Sequence, residues 1–143
     1  MKKLGFFAFL LLLLAGAMAP ENSVALAKEP AQQVKKANPT EVLYFHMTRR
    51  CVTCQAVETV AEEALKENFA EAMKKGELTF KSINLEDKAN KSLLKKMKVS
   101  GQSLLIINGD ERIDITDKGF LYAKNDPEKF KAEVKSIIGK FIK

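Results

Sequence analysis

The chain has 143 residues, 46% hydrophobic and 29% charged, with a formal net charge of +6 and two cysteines. That length supports one modest core rather than several domains. The lysines are scattered without interleaved aromatics, which argues against a nucleic-acid footprint and for solvated faces that keep the protein soluble.

At the N-terminus Lys2 and Lys3 precede "LGFFAFLLLLLAGAMA", an apolar run short for a membrane span, followed by "SVALA". Residues 1–27 are therefore expected to be a secretory signal peptide, with Ala25 and Ala27 at the small-residue positions and cleavage before Lys28. The rival is an uncleaved N-terminal anchor. Either way the expected location is exported, in the periplasm or outside the membrane, where oxidised cysteines persist. Removal of residues 1–27 takes away two basic and one acidic side chain and leaves a net charge of about +5. Residues 28–40, "KEPAQQVKKANPT", hold two prolines and little to bury, and are expected to form a flexible linker. Residues 41–143 remain as one domain.

Within that domain "EVLYFH" suits a buried strand, and Val57, Val60, Ala61, Ala64, Leu65 and Phe69 recur at helical spacing until Gly76. "LTFKSINL" alternates as a strand does. "NKSLLKKMKV" follows as a helix with Leu93, Leu94 and Met97 on one face, and "SLLIIN" as an apolar strand. Asn108-Gly109 signals a hairpin into "ERIDIT". The segment "GFLYA", residues 119–123, is expected to cover a sheet edge. In "NDPEKFKAEVKSIIGKFIK" Asp126 can cap a helix, Pro127 suits its first position, and Phe130, Val134, Ile137, Ile138 and Phe141 form a stripe. The order predicts an α/β fold: a central mixed four-stranded sheet with helices on both faces. Helical crossovers predict that the first three strands are parallel and the hairpin that the fourth is antiparallel to the third.

The only two cysteines fall where the first strand hands over to the first helix, in "YFHMTRRCVTCQAVE". A thiolate at a helix N-terminus is favoured by unpaired backbone N–H groups and the helix dipole. Cys51 is the expected attacking thiolate and Cys54 the resolving thiol, with Arg49 and Arg50 adding positive charge if either turns toward Cys51. A permanent disulfide is the plain alternative, but so small a loop gains little chain entropy. Zinc commonly needs four ligands, and Cys51, Cys54 and His46 are one short, so no metal is expected within a monomer, though two chains could share a site. A trivalent organoarsenical, with two bonds open to sulfur, is a chemically reasonable ligand for the pair.

A Cys-x-x-Cys opening the first helix of this element order resembles the thioredoxin-like superfamily, over essentially all of residues 41–143. That likeness implies a three-layer sandwich and dithiol redox chemistry. "YFHMTRRCVTCQAVE", "SLLIIN" and "NDPEKFK" look most like exported proteins described as a subunit of a nitrophenyl-compound nitroreductase, associated with aromatic-arsenical resistance operons. The closer likeness implies a part in reducing nitroaromatic arsenicals, alongside a redox partner or a partner subunit. Flavin and nicotinamide fingerprints are absent, so no cofactor is expected and electrons would come from elsewhere. The superfamily usually places a cis-proline facing the cysteines at the start of the third strand. Here "VSGQSLLIIN" puts Ser103, or Gln102, at that place, which implies a reshaped groove. The buried acid that many thioredoxins carry on the first strand falls on Phe45, leaving His46 as the nearest titratable side chain for proton handling or as a packed strand-end residue.

Overall fold

Residues 38–142 are described by a computed structural model. The expected signal peptide, 1–27, and linker residues 28–37 lie outside the described residues. Among the described residues no helix is long and apolar enough to cross a membrane.

The two strands with apolar cores take the interior of the sheet. β1 (Thr40–His46) pairs in parallel with β2 (Leu78–Asn84) on one side and antiparallel with β3 (Ser103–Asn108) on the other. β4 (Glu111–Asp114) adds antiparallel to β3, giving the order β2-β1-β3-β4. Side chains alternate along β1, so Val42 and Tyr44 face one layer while Leu43 and Phe45 face the other, all four buried. A strand covered on both faces has no polar side to show, which is why "VLYF" is apolar throughout.

On the first face lie α1 (Val52–Lys74), α3 (Thr116–Tyr122) and α4 (Pro127–Ile138). Val57, Val60, Ala61, Ala64 and Leu65 of α1 pack with Phe130, Val134, Ile137 and Ile138 of α4 over Val42, Tyr44, Leu104 and Ile106. The second face carries α2 (Lys91–Met97), entered through a short 3-10 turn at Lys88–Asn90, with Leu93, Leu94 and Met97 against Leu43, Phe45, Ile83 and Leu105. The expected α/β class, mixed four-stranded sheet and helices on both faces are all present.

Two local expectations are corrected. β3 runs antiparallel to β1, not parallel. The connection from Asn84 to Ser103 is long enough for either course, but α2 packs on the second face against Leu43, Phe45, Ile83 and Leu105, and the chain re-enters the sheet with Ser103 beside Phe45 instead of returning to the start of β1. β3 therefore starts at the edge where β2 ended. The hairpin turn is Gly109-Asp110 rather than Asn108-Gly109, because Asn108 stays in the sheet opposite Glu111 and its Nδ2 donates to Thr40 Oγ1 at 2.8 Å. Gly109 supplies the left-handed backbone, with φ of 58°.

α3 has no counterpart among the expected elements. It is short and carries Gly119 in its middle, a weak helix signal. Tertiary contact explains the glycine: a Cβ there would stand 3.1 Å from Val57 Cγ1 of α1. Its start is set by Asp114, whose Oδ1 accepts from the N–H and hydroxyl of Thr116, at 3.0 and 2.5 Å. "GFLYA" is thus part of the helical layer: Phe120 packs against the core and the Tyr122 ring lies 4.1 Å beneath the Lys129 ammonium.

Helix ends follow capping chemistry. α1 closes on Gly76, with the Gly76 N–H donating to Met73 O and the Glu77 N–H to Ala72 O. α2 closes the same way on Lys98, at φ of 51°, with Val99 N–H donating to Leu94 O and Lys98 N–H to Lys95 O. A β-carbon at that backbone conformation is strained, so Lys98→Gly is expected to stabilise the protein by about 0.5–1 kcal/mol, read as a raised urea midpoint at unchanged m-value. Asp126 caps α4 by accepting from Lys129 N–H at 3.2 Å, ahead of Pro127.

Candidate functional site

The antiparallel course of β3 brings three chain segments to one sheet edge. Phe45, next to last in β1, registers with Ile83 of β2 and with Ser103, the first residue of β3. Residues 47–51 then connect β1 to α1. This loop is tied down by Thr48, whose N–H donates to Glu86 Oε2 at 2.7 Å and whose hydroxyl accepts from Asn84 Nδ2 at 3.0 Å. Arg50 fixes its far end through an ion pair with Glu58 on α1.

Cys51 is the N-cap of α1, with extended backbone, and its sulfur accepts from the Cys54 N–H at 3.3 Å. The two-residue spacing does what Ser or Asp does at other helix starts, placing an acceptor on an otherwise unpaired backbone donor. Cys51 is exposed and Cys54, one helical step inside, is 3% exposed. Both are free, and their sulfurs stand 2.7 Å apart. Donation from the Cys54 thiol, then from the Cys54 backbone N–H, holds the Cys51 thiol below the ordinary thiol range. Burial, and then the bond to Cys51, pushes the Cys54 thiol up. The pair is therefore divided into an accessible thiol that ionises more readily and a protected thiol that ionises less readily.

The other expected residues distribute unevenly around it. Arg50 is half-buried and its charge is engaged by Glu58, and Arg49 is exposed on the loop. The depression at Cys51 comes from hydrogen bonds, not from either guanidinium. His46 stacks on Tyr44, with ring centroids 5.8 Å apart, and its Nδ1 lies 2.9 Å from Met47 O, so it hydrogen-bonds neither sulfur. Ser103 is half-buried at the site edge with its hydroxyl donating to Gly101 O at 3.1 Å. Its neighbour Gln102 makes the contact instead: Oε1 accepts from the Cys54 thiol at 3.3 Å. The sequence left these two positions open, and only the geometry separates them.

Tyr44 is a residue of the site that the sequence reading passed over. Its hydroxyl donates to the Cys54 carbonyl at 2.8 Å, stitching the centre of the sheet to the first turn of α1. Burial, reinforced by the adjacent Cys54, raises its pKa to about 12, so it stays a neutral donor. The available signal was a tyrosine within the apolar run Val42–Phe45, since a buried phenol needs a partner. Among the described residues no cluster of three or more His, Cys, Asp or Glu side chains could hold a metal ion.

No family model matches the chain, and no curated protein matches it. Among solved structures, one described as "Structure of a malarial protein" is similar at 19% identity with a TM-score of 0.43, covering 74% of this chain and 100% of that one.

Proposed function

We propose that this is an exported thioredoxin-like dithiol protein that carries out thiol–disulfide exchange through Cys51 and Cys54. The observation that carries the reading is the exposed, helix-capping Cys51 with its sulfur 2.7 Å from that of buried Cys54. The strand order and the placement of the pair at the β1–α1 junction support it. In the forward step the Cys51 thiolate attacks a substrate disulfide, forming a mixed disulfide and releasing one substrate thiolate. Cys54 then loses its proton and attacks the Cys51 sulfur, the second substrate thiolate departs and takes up a proton, and the protein is left oxidised by two electrons. A partner dithiol restores it. In a nitroaromatic-reducing system the domain would serve as the subunit that passes these electrons on.

A second reading, that the pair holds a trivalent aryl arsenical, is favoured by the exposed Met47 and Val52, 39% and 66% exposed, as apolar surface on the loop and beside Cys51 for the aryl group. One experiment addresses both: alkylation of the thiols across a graded redox series, with thiolate absorbance followed against pH. The redox reading expects reversible loss of both thiols and a Cys51 midpoint below the free-thiol value of about 8.5. A pair that stays oxidised below about −300 mV, or a midpoint at or above the free-thiol value, refutes it. Phenylarsine oxide at one equivalent is expected to shield both cysteines from alkylation, and cysteines that stay open to alkylation refute the second reading.

A further inference from the structure

We propose that Gln102 is the positioning residue for the resolving step, its side-chain amide serving the thiol of Cys54 in one orientation and the thiolate in the other. The inference rests on the thiol–disulfide exchange reading and deepens it.

The Cys54 sulfur has two side-chain partners, the Cys51 sulfur at 2.7 Å and Gln102 Oε1 at 3.3 Å, and one proton to share between them. While Cys51 is a thiolate, the proton is held by it as the stronger acceptor. Once Cys51 is bound in a mixed disulfide its sulfur is neutral, and Gln102 Oε1 becomes the better acceptor.

Resolution then needs Cys54 as a thiolate, in a place where it is 3% exposed and has little water to stabilise it. The surrounding charged and titratable groups do not meet that need. Tyr44, from β1, spends its hydroxyl on the Cys54 carbonyl, and Arg50, from the loop, is paired with Glu58 of α1. The neighbouring β1 residue Phe45 carries no polar atom. Gln102 can supply a donor, because a half-turn about its terminal torsion replaces Oε1 by Nε2–H at the same place. A neutral amide takes no proton, so the Cys54 proton leaves to water and the departing substrate thiolate is protonated in turn. The sulfur pair exchanges bonds as in the proposed cycle.

The test follows both thiolates released when the reduced protein meets excess dithiobis(nitrobenzoate): the first on attack by Cys51, the second on resolution by Cys54. Gln102→Leu removes the donor and Gln102→Glu replaces it with an anion that repels the thiolate. The second release is expected to slow about tenfold in the leucine variant at neutral pH, corresponding to about one pKa unit, and further in the glutamate variant, with its pH midpoint moved upward in both. The first release stays within about twofold of the unsubstituted rate. A second release unchanged in both variants, or first and second releases slowed equally, overturns the role of Gln102 while leaving the exchange reading intact. No second release in the unsubstituted protein overturns the exchange reading and this proposal with it.

Discussion

Cys51→Ser is expected to abolish exchange with external disulfides, a loss of about a thousandfold or more, because a serine hydroxyl is not ionised near neutral pH and is no substitute for a thiolate nucleophile. Cys54→Ser is expected to behave differently. Its hydroxyl can still donate to the Cys51 sulfur and its backbone N–H still caps it, the two contacts that hold Cys51 low. The first attack should therefore persist and the reaction stop at a mixed disulfide, seen as a stable mass adduct of one substrate half. If the adduct forms in the Cys51→Ser variant and not in the Cys54→Ser variant, the assigned roles are reversed.

The second large effect concerns Tyr44. Tyr44→Ala removes a fully buried ring from the first core and the bond to the Cys54 carbonyl together. Losses of this kind cost about 3–5 kcal/mol, a large share of the 5–15 kcal/mol by which domains are typically stable. Tyr44→Phe keeps the ring and removes the hydroxyl, and is expected to cost about 1 kcal/mol. Guanidinium unfolding of the reduced proteins measures both. A phenylalanine variant as stable as the original would show that the bond between sheet and helix contributes nothing net. Because the phenol touches the Cys54 carbonyl and not its sulfur, first thiolate release should be nearly unchanged in Tyr44→Phe.

Much of this site was legible because it depends on local chemistry. The Cys-x-x-Cys spacing is itself the geometry of an N-cap, so the exposed position of Cys51 and the buried position of Cys54 follow from where the helix starts. The contributions of Gln102 and Tyr44 were not legible in the same way. Gln102 lies 48 residues from Cys54 in sequence, and its contact exists only because β3 begins beside the end of β1. Arg50 illustrates the reverse case. Proximity in sequence suggested a partner for Cys51, but Glu58, on the second turn of α1, takes the charge of Arg50 from the preceding loop.

The sequence by itself determined the strands, the long helices and their caps, since these rest on periodicities of two and 3.6 and on single residues such as Gly76, Asp126 and Pro127. It determined the dithiol and its place at a strand-to-helix junction. Only the tertiary structure decided the direction of β3, because the connection from Asn84 to Ser103 is long enough for either course and the packing of α2 on the second face selects one. It also decided α3, whose glycine weakens the isolated helix and is explained by the closeness of Val57. The partner of Cys54 was settled by the same strand reversal: with β3 parallel, Gln102 and Ser103 would lie at the opposite end of the sheet from the cysteines.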